Sequence, residues 1–175
     1  WIATSEDKDA AYLDALDQVD YAAERERLAV ESLAEIDDGA GEVVPPLLEE
    51  LGRREAQALR EVELAYRQAT GRNAARERPL SDAEQRLSEL KPALIAGPTE
   101  FLTGRRRVRG VGGLHGLMRF EVMNAVNGER SGLDIYRYVA AEAREAGAHY
   151  YGTVTAEAVL EYLENAAAAE LIRLE

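Results

Sequence analysis

The stretch DAAYLDALDQVDYAAERERLAVESLAEI, residues 9–36, constrains the fold most. Tyr12, Leu13, Leu16, Val19, Ala22, Ala23, Val30, Leu33 and Ile36 follow spacings of three and four. That is the period of a helix with one apolar face, whereas a half-buried strand alternates every second residue. The segment reads as one long helix or two abutting ones, spanning roughly 40 Å at 1.5 Å per residue. A helix of this kind is held mainly by what its apolar face packs against. DDGAGEVVPP, from Asp37, ends it with two aspartates, two glycines and a proline pair.

A second helix is expected from Pro45 or Pro46, since proline is tolerated in a first turn. Leu47, Leu48, Leu51, Leu59, Val62, Ala65, Tyr66 and Ala69 make its stripe, and Gly71 is a natural stop. GRNAARERP then reads as a polar connector. Ser81 and Glu84 form an S-x-x-E capping box for a third helix striped by Leu87, Leu90 and Leu94, which Pro92 bends or shortens. AGP, at Gly97–Pro98, ends it. The rear reads as helix Gly116–Val126, turn NGER, helix Gly132–Ala146, strand GTV, helix Ala156–Ala168 and strand LIRL, with Ser131 and Thr155 as caps. The expected fold class is therefore mainly α: a long-helix bundle followed by a small winged-helix-like domain of three helices and two short strands. The expected domains are 1–103 (helical), 104–116 (an Arg/Gly-rich hinge) and 117–175 (winged-helix-like).

The net charge of −12 is unevenly placed. Residues 104–110, GRRRVRG, hold four arginines and no acid, while both flanks are acidic. A negative field of this extent repels nucleic acid and anionic membranes. No apolar run approaches the roughly 20 residues that span a bilayer. There is no cysteine, hence no disulfide and no thiolate metal site. Lys8 and Lys91 are the only lysines, and with so much alanine this is the composition expected of a GC-rich bacterial genome. The chain begins at Trp1, and the expectation is a processed product or a part of something longer.

A DNA-reading winged helix needs basic or amide side chains on its recognition helix. From Thr155 to Ala168 the charges are Glu157, Glu161 and Glu164, and only Asn165 is suited to a base. This points to a winged helix used for packing. Arg105, Arg106, Arg107 and Arg109 could bind phosphate, RNA or an acidic protein surface, but the favoured reading is a solvated linker or one lying on acidic helices. GVGGLHG fails as a phosphate loop because His115 stands where the third glycine belongs. His115 and His149 lack ligand spacing and read as surface or packing residues. The rear tyrosines read as core. No catalytic, cofactor-binding or metal-ligating residue is assigned.

WIATSEDKDAAYLD, followed by a long helix, resembles the end of the catalytic domain in leucyl-aminopeptidase-like zinc exopeptidases. NAVNGERSGLDIYRYVAAEA and YYGTVTAEAVLEYLENAAAAELIRL are similar to a winged-helix-like C-terminal extension of some bacterial members. In that family a zinc-ligand histidine precedes the T-x-E-D-like turn; here the position is Ala3. The resemblance implies a non-catalytic C-terminal portion of a peptide-hydrolysing zinc metallo-aminopeptidase, with zinc belonging to the parent family and no cofactor in this chain. The implied partner is an upstream catalytic domain or another subunit, including a second copy, with neither nucleic acid nor membrane. The alternative is a free-standing helical interaction or regulatory protein with a degenerate, non-DNA-binding winged helix. A transcription regulator is a third reading.

Overall fold

A computed structural model describes the whole chain except Asp37 and Glu77, and at Asp38 and Ala148 it describes the backbone alone. The chain divides into two compact units, Trp1–Glu77 and Arg78–Glu175. The structure is mainly helical, and among the described residues its one sheet has two strands.

The first unit is a helical hairpin. Helix α1 (Lys8–Glu31) starts at Asp7, whose carboxylate accepts from the Ala10 N–H at 2.9 Å. Such a cap satisfies one of the donors a helix start leaves open. The short α2 (Leu33–Ile36) follows Ser32, so the long apolar stretch is two abutting helices. The expected break begins at Asp37, which lies outside the described residues, and continues as a 3-10 turn over Asp38–Glu42. Helix α3 (Val44–Thr70) carries its proline in the first turn and ends at Gly71, which is left-handed at φ 71°. Tyr66 is fully buried on α3 and stacks on Tyr12 of α1 at 4.4 Å between ring centroids. Ile2, from a 3-10 turn over Ile2–Thr4, joins Ala11 and Ala15 around them.

The second unit begins with the box read from the sequence. Ser81 caps α4 (Asp82–Glu89), and Glu84 reaches back to the Ser81 N–H at 2.7 Å. The third helix is shorter than expected. Pro92 cannot continue it, and Pro92–Leu94 become strand β1, so Leu90 and Leu94 leave the helical stripe. Strand β2 (Ile172–Leu174) pairs antiparallel with it, placing Pro92 opposite Leu174 and Leu94 opposite Ile172. The expected strand GTV forms no ladder; Val154 is buried there on unpaired backbone.

Five further helices follow among the described residues. Helices α5 (Pro98–Gly104) and α8 (Ala148–Tyr151) were not foreseen. Helices α6 (Gly116–Ala125) and α7 (Gly132–Ala146) fall where expected, as does α9 (Ala156–Ala168), capped by Thr155. Helix α7 can approach α4 because residue 132 is glycine. A Cβ there would lie 2.9 Å from the Leu87 carbonyl oxygen, inside any real contact. The Gly132 N–H donates to the Leu90 carbonyl at 2.9 Å.

The domain boundary differs from the sequence expectation. Residues 81–103 belong with the rear, because Ala83 and Leu87 lie in the same core as Val122, Val139, Val159 and Leu163. The expected hinge, 104–116, is likewise part of that unit. Gly104 is buried against Leu171, a 3-10 turn covers Arg105–Arg107, and Val111 and Leu114 enter the core.

Candidate functional site

Two surface features of the described residues have the shape of sites. The first is a groove of about 760 Å³ between α1 and α3. Ala15, Val19, Ala22 and Ala23 form one wall, Leu51 and Ala58 the other, and Trp1 closes an end. Small side chains keep the two helix surfaces from filling the space between them. Trp1 is 63% exposed, an unusual position for so large an apolar surface. Arg54 and Glu55 edge the groove, and Arg27 donates to Glu55 at 3.0 Å.

The hairpin is fastened at its other end. Arg72 donates to both oxygens of Asp9, at 3.1 and 2.8 Å, and the Tyr66 hydroxyl donates to the same carboxylate. These contacts join the start of α1 to the end of α3, so the helices run antiparallel. The Tyr66 and Arg72 hydrogen bonds hold the Asp9 carboxyl below its ordinary range. Burial, and then the bond to Asp9, push the Tyr66 phenol up. A bidentate arginine–carboxylate pair fixes geometry as well as charge, and this one accounts for Asp9, Tyr66 and Arg72 structurally.

The second feature is a pocket of about 410 Å³ wholly within the second unit. Phe101 of α5, Leu117, Phe120 and Met123 of α6, and Tyr162 of α9 supply apolar walls, with Val108 between them. Arg105, Arg106 and Arg119 also line it. No hydrogen bond or ion pair joins any of the three to a carboxylate among the described residues. The neighbouring Glu100 accepts from the Gly97 N–H at 2.8 Å, at the start of its own helix. Burial raises the Tyr162 phenol, while the Arg119 and Arg105 charges pull it the other way.

The arginine run is therefore divided by its turn. Arg105 and Arg106 line the apolar pocket, while Arg107 and Arg109 line a separate depression of about 250 Å³ with Asn165 and Glu170. Asn165, the one amide suited to a base, donates instead to the Arg109 carbonyl at 3.3 Å. Along α9, Glu157, Glu161 and Glu164 are exposed.

The histidines have local partners. His115 caps α6, its Nδ1 accepting from the Leu117 N–H at 3.2 Å, and its ring lies 5.3 Å from that of Tyr151. His149 meets Tyr150 edge-on at 5.9 Å, and Tyr150 meets Tyr151 at 5.3 Å. One row of rings thus holds both histidines, which the sequence places 34 residues apart. Ala3 is exposed in the first 3-10 turn and its methyl has no donor atom for zinc. Among the described residues no group of three or more His, Asp or Glu is placed to hold a metal ion. Ala3 therefore supplies no ligand of the kind that the resemblance places at this position in the parent family. No helix of the described residues is long and apolar enough to cross a membrane.

The apolar pocket was missed by sequence reasoning. Its walls come from three helices separated in the chain, and only the arginines stood out locally. Compared with family models, with curated proteins and with solved structures, the chain has no match.

Proposed function

We propose that this chain is a non-catalytic packing and interaction part, on the C-terminal side of a zinc-exopeptidase-like protein whose upstream domain hydrolyses peptides. The observation that carries this reading is the open groove of the α1–α3 hairpin. Among the described residues, six hydrophobic residues of the first unit are buried, against twenty-five in the second. Two helices of 24 and 27 residues need a broader covered face than that to be stable. In this reading a catalytic domain supplies the missing cover, with Trp1 and Leu51 as its anchors. The second unit, α6–α7–α9 with β1 and β2, is a winged-helix-like module used for packing. The acidic face of α9 supports a role apart from nucleic acid.

The test is the reading frame upstream of Trp1. An aspartate and paired glutamates at zinc-site spacing are the expected finding. An upstream domain of another class, or none, overturns the peptidase origin. The self-sufficient core of the second unit then favours the alternative, a free-standing helical interaction or regulatory protein.

A further inference from the structure

We propose that the pocket between α5, α6 and α9 binds a small amphiphilic carboxylate, with the carboxylate on the arginines and an apolar chain against Phe101, Leu117 and Phe120. The inference is independent of the peptidase reading, because every residue it uses lies in the second unit.

The chemistry follows from what is placed together. A volume of about 410 Å³ falls within the range of small-molecule sites, which are mostly apolar with a few polar groups that fix orientation. At the roughly 30 Å³ that a water fills in the liquid, it holds about a dozen non-hydrogen atoms. Phe120 is 45% exposed and Leu117 51%. Both carry apolar surface at the pocket that this chain leaves uncovered. Three guanidiniums border the same space without a carboxylate from the described residues. Arginine matches a carboxylate through its planar fork of donors. An anion without an apolar part leaves the aromatic walls wet, and an apolar molecule without a charge leaves the arginines unmatched.

Glycine positions one of these arginines. A Cβ on Gly110 would lie 2.4 Å from Nη1 of Arg119, and one on Gly116 would lie 3.6 Å from its Nη2. The Arg119 head thus lies along backbone that carries no side chain. Gly110→Ala displaces it without removing its charge.

The experiment titrates the full chain with decanoate by calorimetry, with decanol and inorganic phosphate as separate arms. Saturable one-to-one binding of decanoate is expected. Decanol should bind at least about ten-fold more weakly, the scale of a lost charged hydrogen bond, and phosphate should show no saturable binding. Arg105→Ala with Arg119→Ala should weaken decanoate by about ten-fold or more, and Gly110→Ala should weaken it with all arginines present. Circular dichroism establishes that each variant is folded; if the double variant is not, Gly110→Ala and the exposed Arg106→Ala decide. Equal binding of decanol and decanoate identifies an apolar patch and overturns the proposal. Phosphate binding as well as decanoate identifies a general anion site and overturns it too, as does an absence of saturable decanoate binding or a folded variant that binds unchanged.

Discussion

Glu84 shows how much one side chain can carry. It is 6% exposed, closes the capping box with Ser81, and accepts from Arg78 at 3.0 and 2.5 Å. Arg78, first, and then the Ser81 hydrogen bonds hold its pKa at about 2 against the burial that opposes them. The folded value lies below the ordinary 4.5, so the carboxylate stabilises the fold fully above about pH 5. That contribution is lost as the pH falls through 4.5 towards 2. With allowance for the half-exposed Arg78, it amounts to about 2 kcal/mol. Glu84→Gln should lower stability by that order at pH 7 and flatten the acid limb of the urea midpoint between pH 5 and about 2. An unchanged acid limb in the variant refutes the assignment. His115 makes a smaller contribution, as the cap of α6. His115→Ala should destabilise α6 by about 1 kcal/mol, the usual loss of a helix cap, and His115→Asn should restore most of it in thermal melts.

At the scale of elements, what the sequence disclosed was what local chemistry decides. Ser81, Ser131 and Thr155 each cap a helix within three residues, and α4, α7 and α9 start where those side chains announce them. Helix ends at Gly71 and Gly147 follow from left-handed or extended positive-φ backbone that glycine tolerates. Pairing β1 with β2 joins residues some 80 apart in sequence, and three-residue strands carry almost no periodicity of their own. GTV was the more β-like run, yet PAL took the place beside β2. The Arg105–Arg109 cluster was legible as charge, but its division between two depressions depends on a 3-10 turn that the sequence did not announce. Helix α9 is where element and function meet. Its exposed acids oppose the phosphates that a recognition helix would meet, some six to ten in a typical specific complex (about one counterion released for each). No sequence-specific mobility shift is expected at physiological salt. A persistent shift that depends on Asn165 or Arg173 would return α9 to the role of reader.

For the whole molecule, the decisive quantity is how unequally the two units are consolidated. Residues 1–77 hold 9 basic and 19 acidic side chains, and residues 78–175 hold 12 and 14. Nearly all of the net charge therefore sits on the hairpin, the unit with the fewest buried residues. Self-repulsion opposes compaction there, and the Asp9–Tyr66–Arg72 clamp fastens only one end. The second unit, by contrast, encloses one cluster fed by helices, strands and the former hinge. A cut at residue 103 would remove α4 and β1 from that cluster, so the informative cut lies between Glu77 and Arg78. Expressed alone, residues 78–175 should unfold in urea as a cooperative monomer with about 5–15 kcal/mol, the range of an ordinary domain of that length. Residues 1–77 should show helical circular dichroism but a broad transition, or should self-associate through the α1–α3 groove. Val19→Glu with Leu51→Glu should then abolish the association without lowering the helix signal, since both residues line the groove rather than the Tyr66 cluster. Sharp, concentration-independent unfolding of residues 1–77 would mean that the hairpin needs no cover, and the packing role would lose the observation it rests on.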